Sequence, residues 1–255
     1  MNSKKPVYIT IIIPCFNEED HIRHTLEKIF SNILDYTDYF FNILVLDDSS
    51  TDNSLFILNQ LAPNFPLTIQ ILQNPSNMGI VESTKILLEA ALHTNADYII
   101  KSDMDADVPH DKILRLFLSE LQMNTVDKIQ VIIGERYITD KSTMSTLEVS
   151  QQQKMTTYLS KHFRDLNYNP VSSGVLFFSK SAIKTLLALK IVTSYNLRWG
   201  LDFLLPLLAH KLRMNIKKID ISQGNYFPER RTDSKIKAQY AAYYQVLELI
   251  ENWKE

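Results

Sequence analysis

Cysteine, glycine, long apolar runs and surplus charge are all scarce in this chain, and each scarcity narrows what it does. One cysteine in 255 residues, Cys15, excludes an internal disulfide framework and a cysteine-rich zinc site, and it suits a reducing compartment. No stretch reaches the ~18 consecutive apolar residues of a membrane-spanning helix. Residues 1–6 are polar and carry no apolar signal-peptide core, so a cytoplasmic location is expected. A formal net charge of −2 gives no bulk attraction to nucleic acid, and no nucleic-acid partner is expected. No repeat, low-complexity tract or linker interrupts the chain. The 45% hydrophobic content supplies one substantial core or two small ones. Glycine occupies only five positions, so each one invites a backbone explanation.

What is present is an alternation. Val7 to Ile13 is β-branched and almost continuously apolar, the signature of a strand covered on both faces and hence of a parallel sheet. It stops at Pro14-Cys15-Phe16-Asn17-Glu18-Glu19-Asp20, where Asn17 predicts an N-cap with Asp20 at the third helical position. Ile22, Leu26, Ile29, Phe30 and Ile33 follow at helical spacing. Phe40 to Leu46 predicts a second strand, ending in Asp47-Asp48-Ser49-Ser50-Thr51-Asp52, with a Ser or Thr there capping a helix that carries Leu55, Ile57, Leu58 and Leu61. Leu67 to Leu72 is a third strand, leading through Asn74-Pro75-Ser76-Asn77-Met78-Gly79 into a helix that ends near His93. Lys85 on that helix is expected on a solvated face, with a diphosphate contact as the alternative. This rhythm builds βαβ units, a mostly parallel sheet and right-handed crossovers. No G-x-G-x-x-G follows the first strand and no G-x-x-x-x-G-K-[ST] occurs, which excludes the common dinucleotide and P-loop sites.

The fourth strand ends in the most informative stretch, Asp97-Tyr98-Ile99-Ile100-Lys101-Ser102-Asp103-Met104-Asp105-Ala106-Asp107. Its carboxylates lie at the carboxyl end of a buried strand, where open α/β sheets place their ligands. In an extended chain Asp103 and Asp107 would be roughly 13 Å apart, so the chain is expected to bend after Asp103 and let the three acids converge. Converging carboxylates repel unless a cation lies between them, and all-oxygen ligands of this kind suit Mg²⁺ or Mn²⁺.

The order I-I-I-P-C-F-N-E-E, V-L-D-D-S-S-T-D-N-S, N-x-G and A-D-Y-I-I-K-S-D-M-D-A-D resembles the family 2 glycosyltransferases of GT-A fold. The likeness covers residues 7–135 closely. It implies one domain over 1–255, with a nucleotide-sugar half at 7–135 and an acceptor half with a C-terminal helix at 136–255. It also implies that Pro14, Phe16, Glu18 and Asp48 hold the nucleotide of a nucleotide-diphosphate sugar. Taken singly, Pro14 is equally a strand stop, Phe16 a core ring and Glu18 a first-turn helix acid. The family's D-x-D falls on Asp103 and Asp105, with Asp107 joining the metal.

The second half is read more sparsely. Lys128 to Gly134 and Val171 to Phe178 predict strands, and residues 143–166 predict a mostly polar surface helix. Gly174 fits either a strand bulge or a close backbone approach. Arg198-Trp199-Gly200-Leu201-Asp202 precedes an apolar helix. Asp202 by itself is a first-turn helix acid; the resemblance implies that it is the catalytic base. Trp199 either stacks on a sugar or packs. Met214 to Ile221 predicts a last strand, and Ile236 to Trp253 an amphipathic helix that packs on the domain or touches a membrane surface peripherally. Between them, Tyr226-Phe227-Pro228-Glu229-Arg230-Arg231-Thr232-Asp233-Ser234-Lys235 is somewhat similar to a segment of polyprenyl-phosphate sugar transferases, although it lacks that segment's glycine and is one residue shorter. Arg230 and Lys235 are candidates to clamp a diphosphate.

The resemblance therefore implies a metal-dependent inverting transferase with a glycan, lipid-linked or small-molecule acceptor. A sugar nucleotidyltransferase would carry a Gly-rich, Arg-containing loop after the first strand, and Pro14 to Glu18 carries neither. A non-catalytic sugar-nucleotide-binding module is disfavoured by the full set of acids.

Overall fold

A computed structural model describes residues 6–34, 36–104, 110–123, 129–135, 145–163, 166, 172–221 and 232–254. The first half alternates as the apolar runs predict: β1 (Val7–Cys15), α1 (Ile22–Ile33), β2 (Tyr39–Asp47), α2 (Ser54–Leu61), β3 (Thr68–Gln73), α3 (Ile80–Leu92), β4 (Tyr98–Lys101) and α4 (His110–Met123). The second half holds β5 (Val131–Glu135), α5 (Thr146–His162), β6 (Ser172–Ser179), α6 (Lys180–Leu187), α7 (Lys190–Thr193), α8 (Leu201–Lys211), β7 (Ile216–Asp220) and α9 (Asp233–Asn252).

The strands join in one sheet of order β3-β2-β1-β4-β6-β5-β7. Every pairing is parallel except those of β6, which runs antiparallel to β4 and β5. Period-two alternation divides the core between the two faces of the sheet. Ile9, Ile11 and Ile13 pack with residues of α1, α2 and α4, whereas Ile12, Leu44 and Leu46 pack with α3, α6, α8 and α9. Both faces are therefore covered, which is why the first two strands read as unbroken apolar runs.

Two features of this topology position a site. Strand order reverses at β1, with β2 on one side and β4 on the other, and such a switch point opens a crevice at the carboxyl ends of the strands. The antiparallel β6 brings its first residues to that same edge, because Lys101 of β4 pairs with Leu176.

Three local expectations are corrected. Asn17 is not a helix cap: α1 starts at Ile22, and Asn17 sits at φ 57° with its Oδ1 accepting a hydrogen bond from Thr51 N at 2.8 Å. No Ser or Thr side chain caps α2. Asp52 Oδ1 accepts from Ser54 N (2.9 Å), while the Ser54 hydroxyl accepts from Glu18 N (2.7 Å) across the two loops. Helix α5 is not purely a surface helix, since it buries Met155 and Leu159 and packs on α9.

Candidate active site

The loops after β1 and β2 are laced together before any ligand is considered. Asn17 N donates to Ser50 Oγ (3.0 Å), Glu19 N to Asp52 Oδ2 (3.2 Å) and Asn53 N to Glu19 Oε2 (3.0 Å). Backbone pairing continues past the strand ends, with Asp48 N on Cys15 O (2.8 Å) and Ser102 N on Ile12 O (3.0 Å). The side chains at this edge are thus fixed by main-chain geometry rather than by side-chain packing alone. Glu18 Oε2 lies 2.7 Å from His21 Nδ1 and accepts its proton-bearing N–H.

Asp48 is buried and accepts three hydrogen bonds. Its Oδ1 takes Asn74 Nδ2 (2.7 Å) and Met78 N (2.9 Å), and its Oδ2 takes Gly79 N (2.8 Å). Gly79, at φ 85°, is the N-cap residue of α3. The carboxylate therefore fastens the start of α3 to the end of β2, a role its sequence position did not disclose.

Asp103 stands two residues beyond β4. Its Oδ1 lies 2.5 Å from Lys101 Nζ. Gly174 of β6 has φ 71°, and a Cβ on it would lie 2.0 Å from Asp103 Oδ2 and 3.2 Å from Lys101 Nζ. Both alternatives for Gly174 hold: the β5–β6 register shifts between Ile133, opposite Leu176, and Glu135, opposite Ser172, and the missing Cβ permits the close approach, on a left-handed backbone that disfavours other residues.

Lys85 departs from expectation. It is buried, not solvated, because Val81, Thr84, Lys85 and Leu88 share the inward face of α3. Its Nζ donates to the Tyr195 carbonyl and lies 3.4 Å from Glu82 Oε2. The Tyr195 hydroxyl in turn donates to Trp199 O at 2.6 Å. Burial, and then the charge of Asp202, push the Tyr195 hydroxyl far above the usual phenol range. Arg198 reaches over the Trp199 ring, 5.3 Å from its centroid.

Of these groups Asp48, Lys101, Asp103, Gly174, Arg198 and Trp199 face one cleft of about 440 Å³. Its lining includes Pro14, Phe16, Glu18, Asp48 and Asp103 from the first half, and Gly174, Asp202 and Lys235 from the second. Phe16 is largely exposed there, so it is not a core ring. Trp199 also lines the cleft and is partly exposed, so a flat apolar face is present on the second-half side. Arg198 and Gln239 line it too, although neither drew a role from the sequence. Asp105, Asp107 and Arg230 lie outside the described residues, so their convergence with Asp103 has no structural description. Among the described residues no three His, Cys, Asp or Glu side chains gather into a cation cage. Asp103 supplies carboxylate oxygens of the kind a hard divalent cation takes, and the glycine at 174 leaves room for that carboxylate, since a Cβ there would lie 2.0 Å from Asp103 Oδ2. Cys15 lies beneath the cleft. Burial, followed by the charges of Asp47 and Glu18, pushes its thiol far above the usual range, which marks it as a packing residue rather than a nucleophile.

The model of the family described as Glycosyl transferase family 2 matches residues 10–187. A dolichyl-phosphate beta-glucosyltransferase of Trichomonas vaginalis is 22% identical over 230 residues, covering 86% of this chain and 64% of its own length. A poly(ribitol-phosphate) beta-glucosyltransferase of Bacillus spizizenii is 30% identical over 129 residues, which is 49% of this chain and 20% of that protein. The chain therefore spans less than two thirds of the length of either. Among solved structures, glucosyl-3-phosphoglycerate synthase from Mycobacterium tuberculosis in complex with Mg²⁺ and UDP superposes with a TM-score of 0.69 at 18% identity, over 98% of this chain and 81% of that one. A mannosyltransferase from Pyrobaculum calidifontis in complex with GDP-Man and Mn²⁺ gives 0.66 at 15% identity, over 98% and 66%. At these identities the likeness is one of fold, GT-A.

Proposed function

Because this chain belongs to glycosyl transferase family 2, we propose that it moves a sugar from a nucleotide-diphosphate donor to an acceptor hydroxyl in glycan or surface polysaccharide synthesis. The observation that carries this reading is that Asp103 and Asp202 line one and the same cleft, together with Phe16 and Asp48. Solved relatives bind UDP with Mg²⁺ and GDP-mannose with Mn²⁺, which supports a donor and a cation of these classes. In this reading residues 7–135 form the donor half and 136–255 the acceptor half of one domain.

Each residue then has a task. Pro14, Phe16, Glu18 and Asp48 bind the nucleotide, and Asp48 also holds the Met78–Gly79 corner. Asp103, with Asp105 and Asp107, holds Mg²⁺ or Mn²⁺, and a bound cation supplies Lewis-acid stabilisation of the leaving diphosphate. Lys235 and Arg230 add positive charge to the same oxygens. Asp202 accepts the proton of the acceptor hydroxyl as that oxygen attacks the anomeric carbon from the face opposite the diphosphate, so configuration inverts. General-base help of this kind contributes about 10²–10⁴-fold.

A second reading has an ionised phosphate as the acceptor, and the presence of Arg198 and Lys235 in the cleft with Asp202 favours it. The Trichomonas vaginalis relative acts on dolichyl phosphate, as its name states. Such an acceptor needs no base. Asp202→Asn separates the two readings: transfer falls about 10²–10⁴-fold for a hydroxyl acceptor and little for a phosphate, with nucleotide binding retained in both. We place the protein in the cytoplasm, peripheral at the inner membrane face where the acceptor is lipid-linked; among the described residues no helix is long and apolar enough to cross a membrane. A thermal-shift panel of nucleoside diphosphates and their sugars, with and without Mn²⁺, tests the donor class. A panel in which no nucleotide raises Tm, with or without the ion, removes the proposal.

A further inference from the structure

The carboxylate assigned to a divalent cation already touches a cation of the chain's own. Lys101 is the last residue of β4, a strand buried at all four positions. Its side chain is 5% exposed, against 27% for that of Asp103, and its Nζ lies 2.5 Å from Asp103 Oδ1. Room for the pair comes from Gly174, whose missing side chain would overlap both groups. A buried ammonium is costly unless a carboxylate balances it, and an aliphatic residue at the end of a buried strand would fill the same space without that cost. Lys101 also lines the cleft. Its charge is therefore delivered to the floor of the donor site.

We propose that Lys101 is a positioning residue that neutralises Asp103 before the donor arrives, so that the cleft takes a divalent cation together with a diphosphate and binds the free cation weakly. This rests on the reading of Asp103 as a metal ligand. A divalent ion arriving alone meets a fixed positive charge at contact range, where Coulomb repulsion is strong and poorly screened. A diphosphate brings anionic oxygens that balance the ion and Lys101 together.

The test is Mn²⁺ binding followed by loss of the free-ion electron paramagnetic resonance signal, with and without UDP or GDP. The proteins are the full chain and its Lys101→Met, Lys101→Gln and Asp103→Asn variants. Both Lys101 variants are expected to bind free Mn²⁺ about tenfold tighter or more, and the strengthening of Mn²⁺ binding by nucleotide shrinks. A gain of affinity is a readout that a damaged fold does not produce. If both Lys101 variants bind free Mn²⁺ no better than the parent while Asp103→Asn abolishes binding, the proposal is overturned and Asp103 stands as a ligand. If Asp103→Asn leaves Mn²⁺ binding unchanged with and without nucleotide, the metal reading falls and takes the proposal with it.

Discussion

Gly174→Ala is the substitution whose cost can be worked most fully from the structure. Two contributions act at different places. Position 174 has φ 71°, and an L-residue in the left-handed region costs about 1–2 kcal/mol. The unfolded chain returns about 0.4–1 kcal/mol of that, because alanine has fewer conformations to lose. The second contribution is contact. The new Cβ would lie 2.0 Å from Asp103 Oδ2, so the carboxylate must rotate away from Lys101 and leave a buried ammonium without its ion-pair partner. Stranding a buried polar group costs about 1–3 kcal/mol, and the partial exposure of Asp103 puts this near the lower end. The total is about 2 kcal/mol, or roughly 4–8 °C in Tm for a chain of this size. Urea unfolding of Gly174→Ala, alone and in an Asp103→Ala background, separates the two contributions. With the carboxylate gone only the backbone part, about 1 kcal/mol, is expected to remain. An equal cost in both backgrounds refutes the contact argument, and a cost below about 0.5 kcal/mol in both refutes the backbone argument as well.

Other outcomes follow from the same geometry. Asp48→Ala leaves the amides of Met78 and Gly79 and the side chain of Asn74 without their shared acceptor. Hydrogen bonds to a charged group contribute about 1.5–3 kcal/mol each, so a loss of at least about 3 kcal/mol is expected in urea unfolding, with Asp48→Asn less damaging because it keeps one acceptor oxygen. Cys15 is buried and its thiol is pushed up by burial and by Asp47 and Glu18. The group therefore stays protonated where a free cysteine ionises. Titration of the folded protein with a disulfide reagent is expected to stay flat between about pH 7 and 9, across the ordinary thiol pKa of ~8.5, and to show one reactive thiol only after denaturation. Lys85→Met removes the ammonium that holds the Tyr195 carbonyl, and nucleotide binding is expected to survive it while transfer declines. A parallel loss of both, measured by thermal shift and a transfer assay, counts against Lys85 acting on the second half alone.

Much of the first half was legible because its signals are local. Unbroken apolar runs such as Val7 to Ile13 name strands buried on both faces, and an acid at a strand end names an edge. Asp48 and Asp103 stand out that way and Phe16 through the resemblance to family 2, and all three line the cleft. What stayed hidden depends on partners remote in sequence. Asn17 looks like a helix cap until the 49–54 loop claims its side chain. Asp48 looks like a ligand residue, and only the fold shows its three internal donors. Lys85 was misread for a different reason: its spacing with Val81, Thr84 and Leu88 is helical and did mark the inward face, but charge was given more weight than periodicity. Lys101 reads from the sequence only as the end of a strand, because its contact with Asp103 needs the room left by the missing side chain of Gly174, which arrives only when β6 pairs with β4.

The two halves of the cleft are joined by a continuous set of contacts, which explains how residues distant in sequence line one cavity. Asp48 fixes Gly79 and so the first turn of α3. One turn and a half along that helix, Lys85 donates to the carbonyl of Tyr195. The Tyr195 hydroxyl holds Trp199 O, and Gly200, at φ 100°, lets that hydroxyl come within 2.6 Å of where a Cβ would stand. Asp202 follows in the first turn of α8. A buried lysine and a buried phenol are expensive ways to fill space, and in this chain both join α3 to the segment that carries Arg198, Trp199 and Asp202. The position of Asp202 relative to Asp48 is therefore set by hydrogen bonds that end on backbone groups, the Gly79 amide and the Tyr195 and Trp199 carbonyls, together with the core that Val81 and Leu88 share with Leu201 and Leu205.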